Sequence, residues 1–183
     1  GPMTWTVEDC AIVLQAIAGH DPEDPGSADV TIPDYPAALT GDVRGMKVGL
    51  VRHFHDSDVE TNAEVKAGVE RAAQVLGDLG AEVHDVRLPS PAEFAACQWT
   101  ITCAELNAVH EDNLRHRLED FGENTRYRLV PGAMTGAVDY IQAQRLRRDL
   151  IRRIDAVFED VDVLLTATVP VLAPLIEDMK LSS

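Results

Sequence analysis

Cysteine is scarce in this chain and does not pair: Cys10, Cys97 and Cys103 are odd in number and lack CxxC spacing. That excludes a disulfide scaffold and the common zinc frameworks, and because two of them fall in helical patterns among apolar neighbours, buried free thiols are expected. Basic residues are outnumbered, 16 Lys and Arg against 31 Asp and Glu, for a net charge of −15. Such a field repels phosphate, so a general nucleic-acid or anionic-membrane surface is excluded and a solvated acidic surface is expected. No apolar run reaches the roughly 18 residues that span a bilayer, and no stretch resembles a signal peptide; a soluble, cytoplasmic chain is the expectation. Gly41, Gly45 and Gly49 make neither GxGxxG nor GxxxxGK[ST], which removes the phosphate loops. No internal repeat is visible. What is present, 183 residues with 45% hydrophobic and 26% charged, is a globular composition long enough for one domain over residues 1–183.

The first element is a helix. Thr6 is a good N-cap, Asp9 favours the positive helix end, and Val7, Cys10, Ala11, Leu14, Ile17 and Ala18 recur at helical spacing before Gly19. From His20 to about Gly45 the chain is dense in Pro, Asp and Gly, which favours successive turns and a long loop of the kind that is either functional or draped over a neighbouring surface. Met46–Val51 reads as a short apolar strand. Thr61 to Glu64 reads as a capping box, opening a helix whose face is Val65, Val69, Ala72, Ala73, Leu76 and Leu79 and which ends at Gly80. Glu82–Leu88 reads as a second strand. Strand, helix and strand with tight links predict a βαβ unit with parallel strands.

Ser90-Pro91-Ala92-Glu93 is a strong helix start, with the helix running toward His110. Glu111–Arg128 is highly charged and reads as exposed helix and loop, broken by Pro131-Gly132. Ala137–Phe158 is the longest helix, with an apolar stripe through Val138, Ile141, Leu146, Leu150, Ile151, Ile154 and Phe158 and with Arg145, Arg147, Arg148, Arg152 and Arg153 on its other faces. Asp162–Thr166 is a last strand, followed by Pro170 and Pro174. The fold class is α/β, with a partly parallel, mixed sheet flanked by helices.

Few residues stand out as chemistry. His53-Phe54-His55-Asp56 has the alternation of a metal site but no third spaced ligand, so a polar turn is expected and no metal. His110 and His116 are a weaker pair. The arginine run from Arg145 to Arg153 is interleaved with a core face and with Asp149 and Asp155, which fits a solvated helix better than a nucleic-acid stripe.

The opening segment, the loop rich in Asp and Pro, the βαβ unit and the ending together carry a resemblance. Gly1-Pro2-Met3-Thr4-Trp5-Thr6-Val7-Glu8-Asp9-Cys10-Ala11 is similar to the segment GPM-x-R-[TS]-V-x-D-x-A of amidase-signature hydrolases, with Trp5 where that family has arginine. Gly1-Pro2-Met3 also reads as a protease-site remnant ahead of a start methionine. The passage from Gly19 to Ser27 resembles the family's GHDPxDPxS. Tyr140, Ala143 and Arg147, then Phe158, then Asp162–Thr168 and Ala173-Pro174, resemble Y-x-x-A-x-x-x-R, phenylalanine, DVLL-T-P-T and a closing AP, with Ala167 in place of the usual proline.

That family, which includes the glutamine-hydrolysing component of tRNA amidotransferases, cleaves amides through a lysine, a cis-bonded serine and a nucleophilic serine, by way of an acyl-enzyme. Its catalytic stretch lies upstream of the part this chain resembles. There is no Gly-Gly-Ser-Ser here, and Lys47, Lys66 and Lys180 have no serine pair placed to serve. The resemblance therefore implies the later, non-catalytic portion of such an enzyme: an incomplete fold with no catalytic residue and no cofactor of its own. Its expected partners are an upstream catalytic segment or a second copy, and a small-molecule amide if the enzyme is completed. A free-standing binding or oligomerisation module, or an inactive truncated relative, is the alternative. One binding residue carries over, Arg147, which would pair with a substrate carboxylate as a planar bidentate donor. Read without the resemblance, Arg147 is one arginine among several on a solvated helix.

Overall fold

The structure is a computed structural model and describes residues 2–176; Gly1 and Lys180 lie outside them. The chain forms two compact units, Gly1–Asp42 and Val43–Ser183.

In the first unit, α1 spans Val7–Ile17. Thr6 is its extended N-cap, and the capping is reciprocal: the Asp9 amide donates to the Thr6 hydroxyl at 3.1 Å while the Thr6 amide donates to the Asp9 carboxylate at 3.3 Å. Ala11 is the buried residue of this helix, Cys10 is half-buried rather than buried as expected, and Ala18 turns the chain out in an extended conformation. Residues 20–42 then contain neither helix nor strand. Short polar side chains take up the backbone there: the Asp21 amide donates to the Ser27 hydroxyl, the Gly26 amide to Asp24, and the Tyr35 amide to Gln15 of α1 at 2.9 Å.

The second unit is built on three strands, β1 (Lys47–Leu50), β2 (Glu82–Asp85) and β3 (Val163–Leu165), in the order β2-β1-β3, all parallel. Val48 pairs with Val83 on one side and Val163 on the other, and Leu50 faces Leu165. As the central strand, β1 carries the deepest core together with the residue that follows it: Val48, Leu50 and then Val51 are essentially inaccessible, which reads in sequence as a short apolar run. β2 is shorter than expected and ends at Asp85.

The crossover helix α2 (Ala63–Asp78) lays Val69 and Ala73 over Leu50, with Val83 and Leu165 beside them. Its cap is Asn62, whose side chain accepts from the Glu64 amide at 2.8 Å, and not Thr61. The Thr61 hydroxyl is spent on the Val59 carbonyl at 3.0 Å, so the expected Thr61–Glu64 capping box does not form and Asn62 caps the helix with a single bond. Gly80 closes the link to β2 at φ 96°, a conformation only glycine adopts freely.

The remaining helices are α3 (Pro91–Val109), α4 (Glu111–His116), α5 (Glu123–Ala133) and α6 (Ala137–Phe158). α3 begins on the predicted capping box of Ser90 and Glu93, and α5 and α6 both pack on it. Pro131-Gly132 does not break α5: both lie in its last turn, where one lost backbone bond is tolerable. Gly132 is required there by distance, because a Cβ on it would sit 1.9 Å from the Cys103 carbonyl oxygen of α3.

Candidate functional site

The α6 face toward α3 is where the motif residues meet. Tyr140, Ala143, Arg147, Leu150 and Ile154 recur at three- and four-residue steps and so share one stripe. Ala143 is buried, and its carbonyl accepts from the Cys97 thiol of α3 at 3.4 Å, a close approach that a small side chain permits. At the start of the stripe the Tyr140 hydroxyl donates to Glu105 of α3 at 3.0 Å and accepts from Gln144 at 2.9 Å. Nearer its end, Arg153 bonds Glu93 at 2.8 Å.

Arg147 lies between these two anchors. It lines a groove of about 330 Å³ whose walls are Phe94, Cys97 and Ile101 of α3 and Leu150, Ile151 and Ile154 of α6. The groove is mostly apolar with Gln98, Thr102 and the guanidinium as its polar groups, the composition of a small-molecule site. Arg152 and Arg153 are paired with acidic side chains, whereas Arg147 has no acidic partner among the described residues. Arg145 and Arg148 face a different, open depression of about 570 Å³ with Arg152. The arrangement therefore separates Arg147 from its neighbours: it is the one arginine of the run that tops the apolar groove.

The histidine cluster has a different job. His53 is nearly buried; its Nδ1 lies 2.8 Å from Asp58, and its Nε2 accepts from the Leu88 amide at 3.1 Å. That fixes the tautomer with the proton on Nδ1. The hydrogen bond from His53 holds the Asp58 carboxyl below the usual carboxylate range. The pair resembles the base and orienter of a catalytic triad, but the nitrogen that would take a nucleophile's proton is already bonded to the backbone. Ser57 lies beside Asp58 and the His53 carbonyl, not at Nε2. His53 is therefore a clamp between the end of β1 and the segment after β2. His55 is buried in a single π-turn, Phe54–Asp58, so the two histidines do not share the face of a strand. Among the described residues no group of three His, Cys, Asp or Glu could hold a metal. His110 packs its ring on Phe121.

A second charged cluster lies at the carboxyl ends of β1 and β2. Arg52 joins Glu70 of α2 to Asp85, and bonding to those carboxylates raises its already high pKa. Arg52 in turn holds the Glu70 carboxyl below its ordinary range. Sequence reasoning misses this cluster, because its members are 15 to 33 positions apart and only the parallel pairing of β1 and β2 brings them together. No helix among the described residues is long and apolar enough to cross a membrane.

With this geometry in view, comparison with known proteins is decisive on class. The amidase family profile matches residues 1–183: the chain belongs to the amidase-signature family and corresponds to its later portion. It is 35% identical over 173 residues to an amidase of Pseudomonas putida, covering 94% of this chain and 37% of that one. It is 37% identical to one component of the glutamyl-tRNA(Gln) amidotransferase of Rhodospirillum rubrum, covering 93% and 38%. Among solved structures it is similar to a chain from a vestigial protein complex bearing on the origins of an s-triazine catabolic enzyme, with TM-score 0.80, 31% identity and coverage of 93% and 36%. It is also similar to a bacterial aryl acylamidase of the same family, with TM-score 0.70, 27% identity and coverage of 93% and 37%. The chain thus spans little more than a third of the length of the relatives it matches.

Proposed function

We propose that this chain is the substrate-binding, non-catalytic portion of an amide hydrolase that works through a serine acyl-enzyme, with the nucleophile on another segment. The reading rests on family membership, on a match to the later portion of the family that covers little more than a third of the relatives' length, and on the makeup of the 183 residues. Their five serines and three lysines include no Gly-Gly-Ser-Ser stretch. In it, Arg147 holds an anionic group of the substrate while the apolar groove between α3 and α6 takes the body. The observation that carries this is a guanidinium without an acidic partner above an apolar groove. Low-polarity surroundings strengthen a charged hydrogen bond, and a bidentate fork adds specificity.

The test supplies the chain with a family segment bearing Lys-Ser-Ser and measures hydrolysis of an acidic and a neutral amide. We expect no hydrolysis by the chain alone and recovery with the added segment. In the reconstituted enzyme, Arg147→Leu raises KM for the acidic amide by about tenfold or more, as loss of a charged hydrogen bond predicts, and leaves the neutral amide unchanged. Stoichiometric labelling of a serine in the isolated chain by a serine-reactive probe would overturn the absence of the nucleophile. An unchanged KM for the acidic amide would remove Arg147 from the site.

A second reading, a free-standing binding or oligomerisation module, is favoured by a separate observation. Val75 of α2, Leu79 at its C-cap, and Val138, Ile141 and Phe158 of α6 are exposed, and β2 and β3 each have an unpaired edge within the described sheet. Failure of every catalytic segment to restore hydrolysis, together with concentration-dependent self-association, would favour it.

A further inference from the structure

The end of α3 and the start of α5 border another recess. α5 is held to α3 at three points. Gly132 lies against the Cys103 carbonyl, the Asn107 side-chain amide donates to the Leu129 carbonyl at 3.2 Å, and the His110 ring meets Phe121, just ahead of α5, edge to face at 5.6 Å. Beside the last two contacts is a pocket of about 320 Å³ lined by Leu106, His110, Asn124, Thr125, Arg128 and Leu129. At about 30 Å³ per water it has room for about ten heavy atoms. It shares no residue with the Arg147 groove.

The lining carries a cation without a counter-charge. Arg128 has neither an acidic partner nor a hydrogen bond among the described residues, and no Asp or Glu lines the pocket. Acids of the connection between α3 and α5 are spent elsewhere: Glu111 pairs with Arg115 and Asp120 with Arg117. Burial pushes the Cys103 thiol up and the Arg128 charge opposes it, which places the guanidinium on the α3 side of its helix. Asn124 and Thr125 precede Arg128 by four and three positions and so share its face of α5. Neither makes a side-chain hydrogen bond among the described residues. All three are exposed and His110 is half-buried, so these groups are open to solvent. A planar guanidinium fork, a hydroxyl, a side-chain amide and an imidazole N–H are donors that suit an acceptor-only carboxylate. Leu106, half-buried, gives the same pocket an apolar side.

We infer that this pocket is a binding site for a small carboxylate with an apolar body. The carboxylate takes the Arg128 fork, with Thr125, Asn124 and His110 as further donors, and the body lies on Leu106. A neutral amide of the same shape forfeits the charged hydrogen bonds, and an inorganic anion forfeits the apolar contact. The inference does not depend on the role proposed for Arg147.

Benzoate, benzamide and inorganic phosphate separate the charge from the body. The full chain, ¹⁵N-labelled, is titrated with each, and the backbone amide signals of Asn124, Thr125 and Arg128 are followed. Saturable shifts are expected with benzoate, at about millimolar affinity for so small a ligand. Benzamide and phosphate should bind at least about tenfold more weakly. Arg128→Leu combined with Thr125→Val, which alters exposed side chains, should keep the amide pattern of the rest of the chain and weaken benzoate at least about tenfold as read at Asn124. Arg147→Leu should leave the titration of the three signals as it is in the wild type, which separates this pocket from the groove between α3 and α6. No saturable shift, equal binding of benzamide or of phosphate, unchanged affinity in the double variant, or loss of the shifts in Arg147→Leu would each overturn the site.

Discussion

At Gly132 a missing side chain sets the separation between two helices. Its Cα meets the Cys103 carbonyl so closely that Gly132→Ala would drive a methyl group into backbone, which cannot move aside as a flexible side chain can. The expected result is a loss of about 3 kcal/mol, read from the urea midpoint, or a parting of α5 from α3. In sequence this glycine has the look of a breaker, because Pro-Gly usually punctuates a chain; that it is a contact becomes visible only when α3 is placed against it. Arg147 is legible by motif and not by environment: nothing local distinguishes it from Arg145 or Arg148, and only the groove does. His55 has the spacing of half a strand pair, and a π-turn moves it to a buried position instead.

The start of α3 shows an element whose sequence and structure agree. Ser90 caps it, Glu93 returns the bond, and Arg153 of α6 reaches the same carboxylate, so one group ties a helix end to a neighbouring helix. Ser90→Ala should cost about 1 kcal/mol in chemical unfolding. Arg153 first, and then the Ser90 amide, hold the Glu93 carboxyl below the ordinary glutamate range. Its contribution is therefore present above the unfolded value of about 4.3 and disappears as pH falls through the lowered folded value. Wild type should lose stability more steeply than Glu93→Gln as the pH of a urea series is taken from neutral to below 4, and parallel profiles would remove the pair from the account. Helix starts are legible here because capping chemistry is local. The start of α2 is displaced by one residue from its sequence expectation for the same reason: Thr61 and Asn62 are both good caps, and the choice is made by Val59, whose carbonyl takes the threonine.

At the scale of the molecule, the sheet among the described residues has a single strand paired on both sides, and several apolar residues of α2 and α6 face solvent. Sedimentation at micromolar concentration should show a species heavier than the 20.0 kDa monomer, or a monomer that a Lys-Ser-Ser-bearing family segment captures. A monomer indifferent to both would argue against association. The parallel β1, α2 and β2 unit can be read from periodicity, whereas the pairing of β1 with β3 cannot, because no local pattern records a partner so distant in sequence. That distance has a consequence for how the chain is born. The Lys47 amide waits for the carboxylate of Asp162, 115 positions later, and at roughly 5 to 20 residues per second of synthesis the wait is about 6 to 23 s. Throughout it, the strand destined for the centre has one flank open on the ribosome, and the most apolar stretch of the sheet is the one left longest without cover.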